Sequence, residues 1–465
     1  MNTLRIVLLR GLLLMMAVPT IAADAPAPVS DHNPRRTNTV PNVIFILADD
    51  LGYGELGSYG QTKIQTPNLD RLAAEGMRFT DAYAGNTVCA PSRSALMTGK
   101  HSGHGRVRSN VQVPLTAADL TIAEMLKSVG YHTGAFGKWA LGWEGTSGTP
   151  NRKGFEEWLG YLDQSHAHDY YPQYLWRNER QWPLPGNENG GQKTYAPNLF
   201  VKATANFVRI NEDDPFFLYF PTTIPHANNE LGTNGMQIPS LGIYAKMDWP
   251  APEKAKAAMI TLLDAFVGDL MADLKRRKID RDTLIIFSSD NGPHREGGVD
   301  PAFFKSSGPL RGIKRDLYEG GIRVPLLARW PGRIAPGTTN ALPVAFWDVL
   351  PTVAELVGLT PPQGLDGISF APVLLGQEPR QTHTYLYWEF HELGYQQAVR
   401  ADHWKGVKLD ANQPLELYDL GTDLGEKTNV AKAHPDVVKR LEGYLKDAAD
   451  PWVQPEDKSP FTGKK

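Results

Sequence analysis

Two short acidic runs and one cysteine carry the residue types that could do chemistry. Asp49-Asp50 closes the apolar run Val43–Ala48, and Asp290-Asn291 follows Leu284–Phe287 after two serines. All four side chains offer oxygen, the donor that hard divalent cations such as Ca2+ and Mg2+ prefer. Neither run adds a histidine, which argues against the mixed carboxylate and imidazole set of a zinc site. An Asp after a strand is often only a turn former. Two such pairs on two buried strands point instead to one shared cation. Cys89 is the only cysteine in 465 residues, so it has no internal disulfide partner. In a chain that leaves the cytosol, such a thiol is either buried and inert or chemically consumed. Its neighbours favour chemistry. Pro91 suits the first turn of a helix that Ser94–Met97 can extend, and this sets Cys89 at a helix N-terminus, where backbone N–H groups gather anions. Arg93, one turn on, adds a planar cation able to grip a tetrahedral oxyanion at two points.

The stretch Cys89-Ala90-Pro91-Ser92-Arg93, followed by Leu96, Thr98 and Gly99, resembles the signature of the type I, formylglycine-dependent sulfatases of the alkaline phosphatase superfamily. The resemblance implies that a maturation enzyme reads this segment and oxidises Cys89 to formylglycine, whose hydrate is the nucleophile. It implies metal ligands at Asp49, Asp50, Asp290 and Asn291, joined by an oxygen at position 89, with Ca2+ expected and Mg2+ the alternative. Lys138 in Gly137-Lys138-Trp139 and Lys314 in Arg311-Gly312-Ile313-Lys314 match the family's cations and would neutralise the sulfate. His226, which closes the run from Phe216 to Pro225, is the expected general acid, because imidazolium donates a proton near neutral pH. One hydroxyl of the hydrate would attack sulfur and leave a sulfoenzyme ester on residue 89. The second would then expel inorganic sulfate. The chain departs from the pattern at Ala140, where most members of the family carry histidine. A histidine of Gln164-Ser165-His166-Ala167-His168-Asp169-Tyr170-Tyr171 is expected to fill that space, His168 before His166.

Aromatic and polar residues at Tyr170, Tyr171, Tyr174, Trp176, Trp388, Glu389, His391 and Trp404 suit sugar rings. The stretches around them resemble those of bacterial sulfatases that act on sulfated glycans. The expected substrate is therefore a sulfated saccharide, of galactose type, with His166, His168, Tyr170, Glu389 and His391 as contacts. Two other readings stay open. One is a phosphonate monoester or phosphodiester hydrolase of the same superfamily. The other is a non-catalytic glycan-binding protein on a degenerate scaffold, for which Ala140 is the only support.

These residues need elements to hold them. A formal net charge of −3 gives no electrostatic footprint for nucleic acid, and 41% hydrophobic with 21% charged residues describes an ordinary globular chain. Arg5 and Arg10 flank and interrupt an apolar run from Ile6 to Ala22, with small residues after it. This reads as a signal peptide over 1–23 and implies a periplasmic or secreted protein without a membrane anchor, since the run is short and broken. Residues 24–40 read as a flexible lead-in. The continuous apolar runs at 43–48 and 284–287 fit central parallel strands, and open α/β sheets place their sites at the C-terminal ends of such strands. Further strands are expected at 131–136, 216–220 and 324–328. Helices are expected from Thr66 as N-cap with Pro67 as first residue, over 121–127, and through the apolar positions 259, 262, 263, 266, 267, 270 and 274. Segments 140–200 and 226–250 read as long polar inserts. The fold class is therefore α/β, a large mostly parallel sheet flanked by helices over 41–370. A smaller α+β subdomain follows over 371–465, with short strands at 385–390, 397–401 and 404–409 and a helix at 435–448.

Overall fold

The apolar runs that end in acidic residues lie side by side. In the computed structural model, which describes residues 40–111 and 113–453, Asn42–Ala48 pairs in parallel with Thr283–Ser289 on one edge and Phe216–Pro221 on the other. Ala48 stands opposite Ser289 and Leu47 opposite Pro221, so the three strands stop nearly level. The whole sheet has ten strands in the order Thr338–Asn340, Met77–Phe79, Leu326–Arg329, Thr283–Ser289, Asn42–Ala48, Phe216–Pro221, His132–Lys138, Glu157–Tyr161, Tyr174–Arg177, Arg180–Pro183. The middle five strands are parallel, and antiparallel strands flank them on both sides. The expected signal peptide over 1–23, and all but the last residue of the lead-in, lie outside the described residues. No helix among the described residues is long and apolar enough to cross a membrane.

Side chains alternate across a strand, so one apolar run feeds two cores. Ile44, Ile46 and Ala48 pack with the helices Ala251–Arg277 and Ala196–Ile210 on one face. Val43, Phe45 and Leu47 pack with Cys89–Thr98, Ile122–Lys127 and Val349–Leu356 on the other. The C-terminal sheet is antiparallel, in the order Leu386–Phe390, Gln396–Ala401, Trp404–Lys408, Glu416–Asp419. One of its faces takes Leu441 and Leu445 of the helix Pro435–Asp447. Its other face buries Trp388 and Phe390 against Tyr83, Val88 and Trp347 of the larger layer.

Two expectations need correction. Segment 140–200 is not a plain insert: it supplies the parallel strand Glu157–Tyr161, a hairpin at the sheet edge, and the helix Ala196–Ile210. Glu157-Trp-Leu-Gly-Tyr161 lacks the β-branched run that marks a buried strand, which is why it escaped notice. Thr66 does not cap the helix Pro67–Ala74 with its side chain; its hydroxyl accepts from the Gly57 N–H and donates to Asp70.

Candidate active site

The parallel strands stop at one edge and pass their next residues to one buried cluster of charged side chains. Asp49 and Asp50 follow Ala48, Asp290 and Asn291 follow Ser289, Lys138 ends its own strand, and His226 lies five residues past Pro221. Gly137 makes the Lys138 position possible. Its φ is 138°, and a Cβ there would stand 1.9 Å from the Pro221 carbonyl oxygen. Asp50 holds a left-handed φ of 66° because its N–H donates to Asp290 Oδ1 at 3.0 Å and its carboxylate is gripped on both oxygens. The helix Cys89–Thr98 begins at the cysteine, and Cys89 Sγ donates to Asp49 Oδ1 at 3.4 Å.

Three cations answer three carboxylates. Arg93 Nε and Nη2 donate to Asp290 Oδ2 at 3.0 and 2.7 Å, while Nη1 donates to the Lys138 carbonyl at 2.8 Å. Lys138 Nζ donates to Asp49 Oδ2, and Lys314 Nζ to Asp50 Oδ2, both at 2.8 Å. His226 Nδ1 donates to the Ala227 carbonyl at 2.6 Å, which leaves Nε2 to accept from Lys314 Nζ at 3.2 Å. Burial alone would raise Asp49 and Asp50, yet Lys138 beside the first and Lys314 beside the second hold both below the usual carboxylate range. Burial, with the Asp49 charge beside it, pushes Asp290 up to about 7 against the pull of Arg93. Burial and Lys314 keep His226 neutral in this state. Cys89 is 2% exposed, and burial raises its thiol well above the ordinary value, so the unmodified side chain is a protonated thiol and a poor nucleophile.

The donor set fits a hard divalent cation. Asn291 Nδ2 donates to Asp50 Oδ1 at 2.7 Å and to the Gly292 carbonyl at 2.9 Å, whereas its buried Oδ1 has no hydrogen-bond partner. An orphaned buried oxygen costs about 1–3 kcal/mol, and a cation would satisfy it. Ligand atoms of Asp49, Asp50, Cys89 and His226 lie within 4.8 Å of one another. With Asp290 and Asn291 beside them, the cluster offers the oxygen-rich set that Ca2+ or Mg2+ takes. Since the carboxylates and cations already balance, an added divalent ion would leave a positive site that draws an anion.

The expected substrate contacts divide. His168 stacks on His226 with ring centroids 4.8 Å apart and planes 10° apart, and its Nδ1 lies 3.1 Å from Glu230 Oε1. His166 packs between Tyr161 and Tyr174. Tyr170 is a correction: it is 1% exposed, and its hydroxyl donates to the carbonyls of Thr223 and His226, so it props the His226 loop rather than facing a sugar. Glu389 is likewise spent internally, accepting from Arg108, Tyr387 and His391. Trp176 and Trp388 are core. His391 lines a separate cavity, together with Arg108, Tyr395 and Trp452. Sequence reasoning missed Glu230, a lone acid in a polar loop with no local signal. It also missed His294, whose ring stacks 6.0 Å from His226; its place three residues after Asn291 was the clue.

A buried cluster of this kind, at the C-terminal edge of a parallel sheet covered by helices on both faces, is the arrangement of an alkaline-phosphatase-like fold. Comparison with known proteins narrows the class. The sulfatase family model matches residues 41–359, and that of the N-sulphoglucosamine sulphohydrolase C-terminal region matches residues 313–450. Human arylsulfatase A is 35% identical over 460 residues, covering 86% of each chain. An N-acetylgalactosamine-6-O-sulfatase of Bacteroides thetaiotaomicron is 29% identical, covering 87% of this chain and 92% of its own. The crystal structure of Ps i-CgsB in complex with k-i-k-neocarrahexaose matches with a TM-score of 0.77 at 29% identity, over 88% of this chain and 92% of that one. The chain belongs to the sulfatase family and is a sulfuric ester hydrolase of the type I kind.

Proposed function

We propose that the protein removes sulfate from a sulfated carbohydrate, with a galactose-type sugar as substrate, after Cys89 has been converted to formylglycine by a maturation enzyme. The observation that carries this reading is the meeting of Cys89 with Asp49 at 3.4 Å in a buried cluster that also holds Lys138 and Lys314. The hydrated formylglycine would supply two hydroxyls on one carbon, one to take the sulfuryl group and one to release it as sulfate. Asp49, Asp50, Asp290 and Asn291 would hold a divalent cation, Ca2+ before Mg2+, that polarises the sulfate oxygens. The other residues orient and neutralise. Arg93 fixes Asp290 and the Lys138 backbone, Lys138 and Lys314 offset the anion, and His226 Nε2 with Lys314 serves the departing oxygen. A periplasmic or secreted location belongs to the same reading.

His168 is the residue we assign to the work of the histidine absent at Ala140. Its Nδ1 is paired with Glu230, which leaves Nε2 as the lone-pair nitrogen of an oriented imidazole against His226. His168→Ala should lower kcat by roughly two orders of magnitude with a much smaller change in KM, the scale of a lost general base. Mass spectrometry of the peptide spanning Cys89, with paired assays on a sulfate and a phosphonate ester, tests the main reading. An unconverted cysteine in active enzyme, or turnover of the phosphonate alone, would overturn it.

A further inference from the structure

Beside the buried charge cluster lies a second cavity, of about 520 Å³, whose wall includes Asp163, His166, Asp169, Tyr171, Tyr174 and Glu230. Glu230 joins the two: its carboxylate holds His168 Nδ1 at 3.1 and 3.2 Å, and the His168 ring lies on that of His226. The two differ in charge balance. In the first, Arg93, Lys138 and Lys314 offset Asp290, Asp49 and Asp50 one for one. The second has three carboxylates in its wall and no lysine or arginine; the remaining polar side chains are amides, one serine and two tyrosine hydroxyls, and His166. Its histidine adds no charge near neutral pH, since burial lowers His166 to about 4. Burial opposes ionisation of Glu230, but the His168 hydrogen bond holds it below its usual value. Tyr171 and Tyr174 are half-buried and bring flat apolar faces of the kind that stack on sugar C–H groups.

We infer that this second cavity is the subsite for the sugar bearing or adjoining the scissile sulfate, and that it selects an uncharged ring over one carrying a carboxylate or a second sulfate. The inference rests on the glycan-sulfatase reading above and adds charge selectivity to it. The mechanism is like-charge repulsion: a ring that brings its own anion to Glu230 and Asp169 loses affinity, while hydroxyls find amide and carboxylate partners. Glu230 thereby has two tasks, orienting His168 and excluding anions.

The test uses full-length converted enzyme and pairs of galactosides. Each pair shares one sulfate position and differs by an added carboxylate or sulfate. The neutral member should be turned over with kcat/KM about tenfold higher or more, the scale of one like-charge contact near a protein surface. Glu230→Gln and Asp169→Asn should each shrink that ratio to about threefold or less, and raised salt should narrow it in the wild type. The ratio does not depend on how much active enzyme each preparation holds. Affinities of the same pairs for unconverted protein give an independent reading. Equal or better use of the anionic partner, or a ratio untouched by Glu230→Gln, overturns the subsite. A charge preference in affinity with no hydrolysis of any sulfate ester, 4-nitrophenyl sulfate included, overturns the sulfatase reading and leaves the subsite standing.

Discussion

Arg93 is fully buried and gives two N–H groups to Asp290 and a third to the Lys138 carbonyl. Truncation would leave a carboxylate buried without its cation. Arg93→Ala should therefore lose about 3–5 kcal/mol, read from the urea midpoint at constant m-value, and Arg93→Lys should recover only part, because an ammonium cannot span both partners. Tyr170 makes a finer case. Tyr170→Phe keeps the ring and removes the hydroxyl that holds the Thr223 and His226 carbonyls. It should cost about 1 kcal/mol in chemical denaturation and lower kcat severalfold with KM nearly unchanged, since His226 loses its prop. Residue type and position at a strand end or helix start made the acidic pairs, Cys89 and Arg93 legible, whereas Lys138, His226 and Lys314 were picked out through the family resemblance of the segments that hold them. Tyr170 and Glu389 misled. Their types suit sugars, but type alone does not say whether a side chain points to solvent or into a hydrogen-bond network.

Between the two sheets the elements meet on charge as well as on apolar surface. Lys405, in the strand Trp404–Lys408, donates to Glu319 Oε1 at 2.8 Å and stands 3.9 Å from Glu426 Oε1. The Glu319 N–H donates to Glu426 Oε2 at 2.7 Å. Burial would raise both acids. For Glu319, Lys405 and Arg323 prevail and hold it at about 2, while burial wins at Glu426 and pushes it up to about 8. A carboxyl whose folded pKa exceeds its unfolded one takes up a proton on folding. Its contribution is complete below about pH 4.5 and is lost as pH rises through about 8. Glu426→Gln should therefore flatten the fall in stability between pH 5 and pH 8, and at pH 9 should melt above the wild type; thermal scans across that range would check it. Among the strands, those with an unbroken apolar run were legible, as at Asn42–Ala48 and Phe216–Pro221. Helix Ala251–Arg277 begins eight residues before the first apolar position counted for it, because Pro250 and Pro252 set its start rather than its buried face. Glu157–Tyr161 and Glu416–Asp419 went unseen, since four or five residues paired by neighbours leave little local pattern.

At the scale of the molecule, the sheet gathers segments more than two hundred residues apart into one anionic cluster with its counter-charges. A cation that binds this cluster only in the folded chain adds stability by mass action, about 2.7 kcal/mol at a hundredfold excess over its Kd. Chelation with EDTA should lower Tm and CaCl2 should restore it, with Asn291→Ala blunting both shifts; an unchanged Tm in wild type would contradict the assigned ligands. The closed packing around Cys89 has a consequence in time. A thiol 2% exposed, at the start of a helix whose ten residues are all buried, offers no surface to a second macromolecule. If Cys89 is converted as proposed, a catalyst that recognises it together with Arg93 would have to act before the sheet assembles. Expression rate would then decide the specific activity of a preparation, and refolding an unconverted batch beside that catalyst would be the way to rescue it.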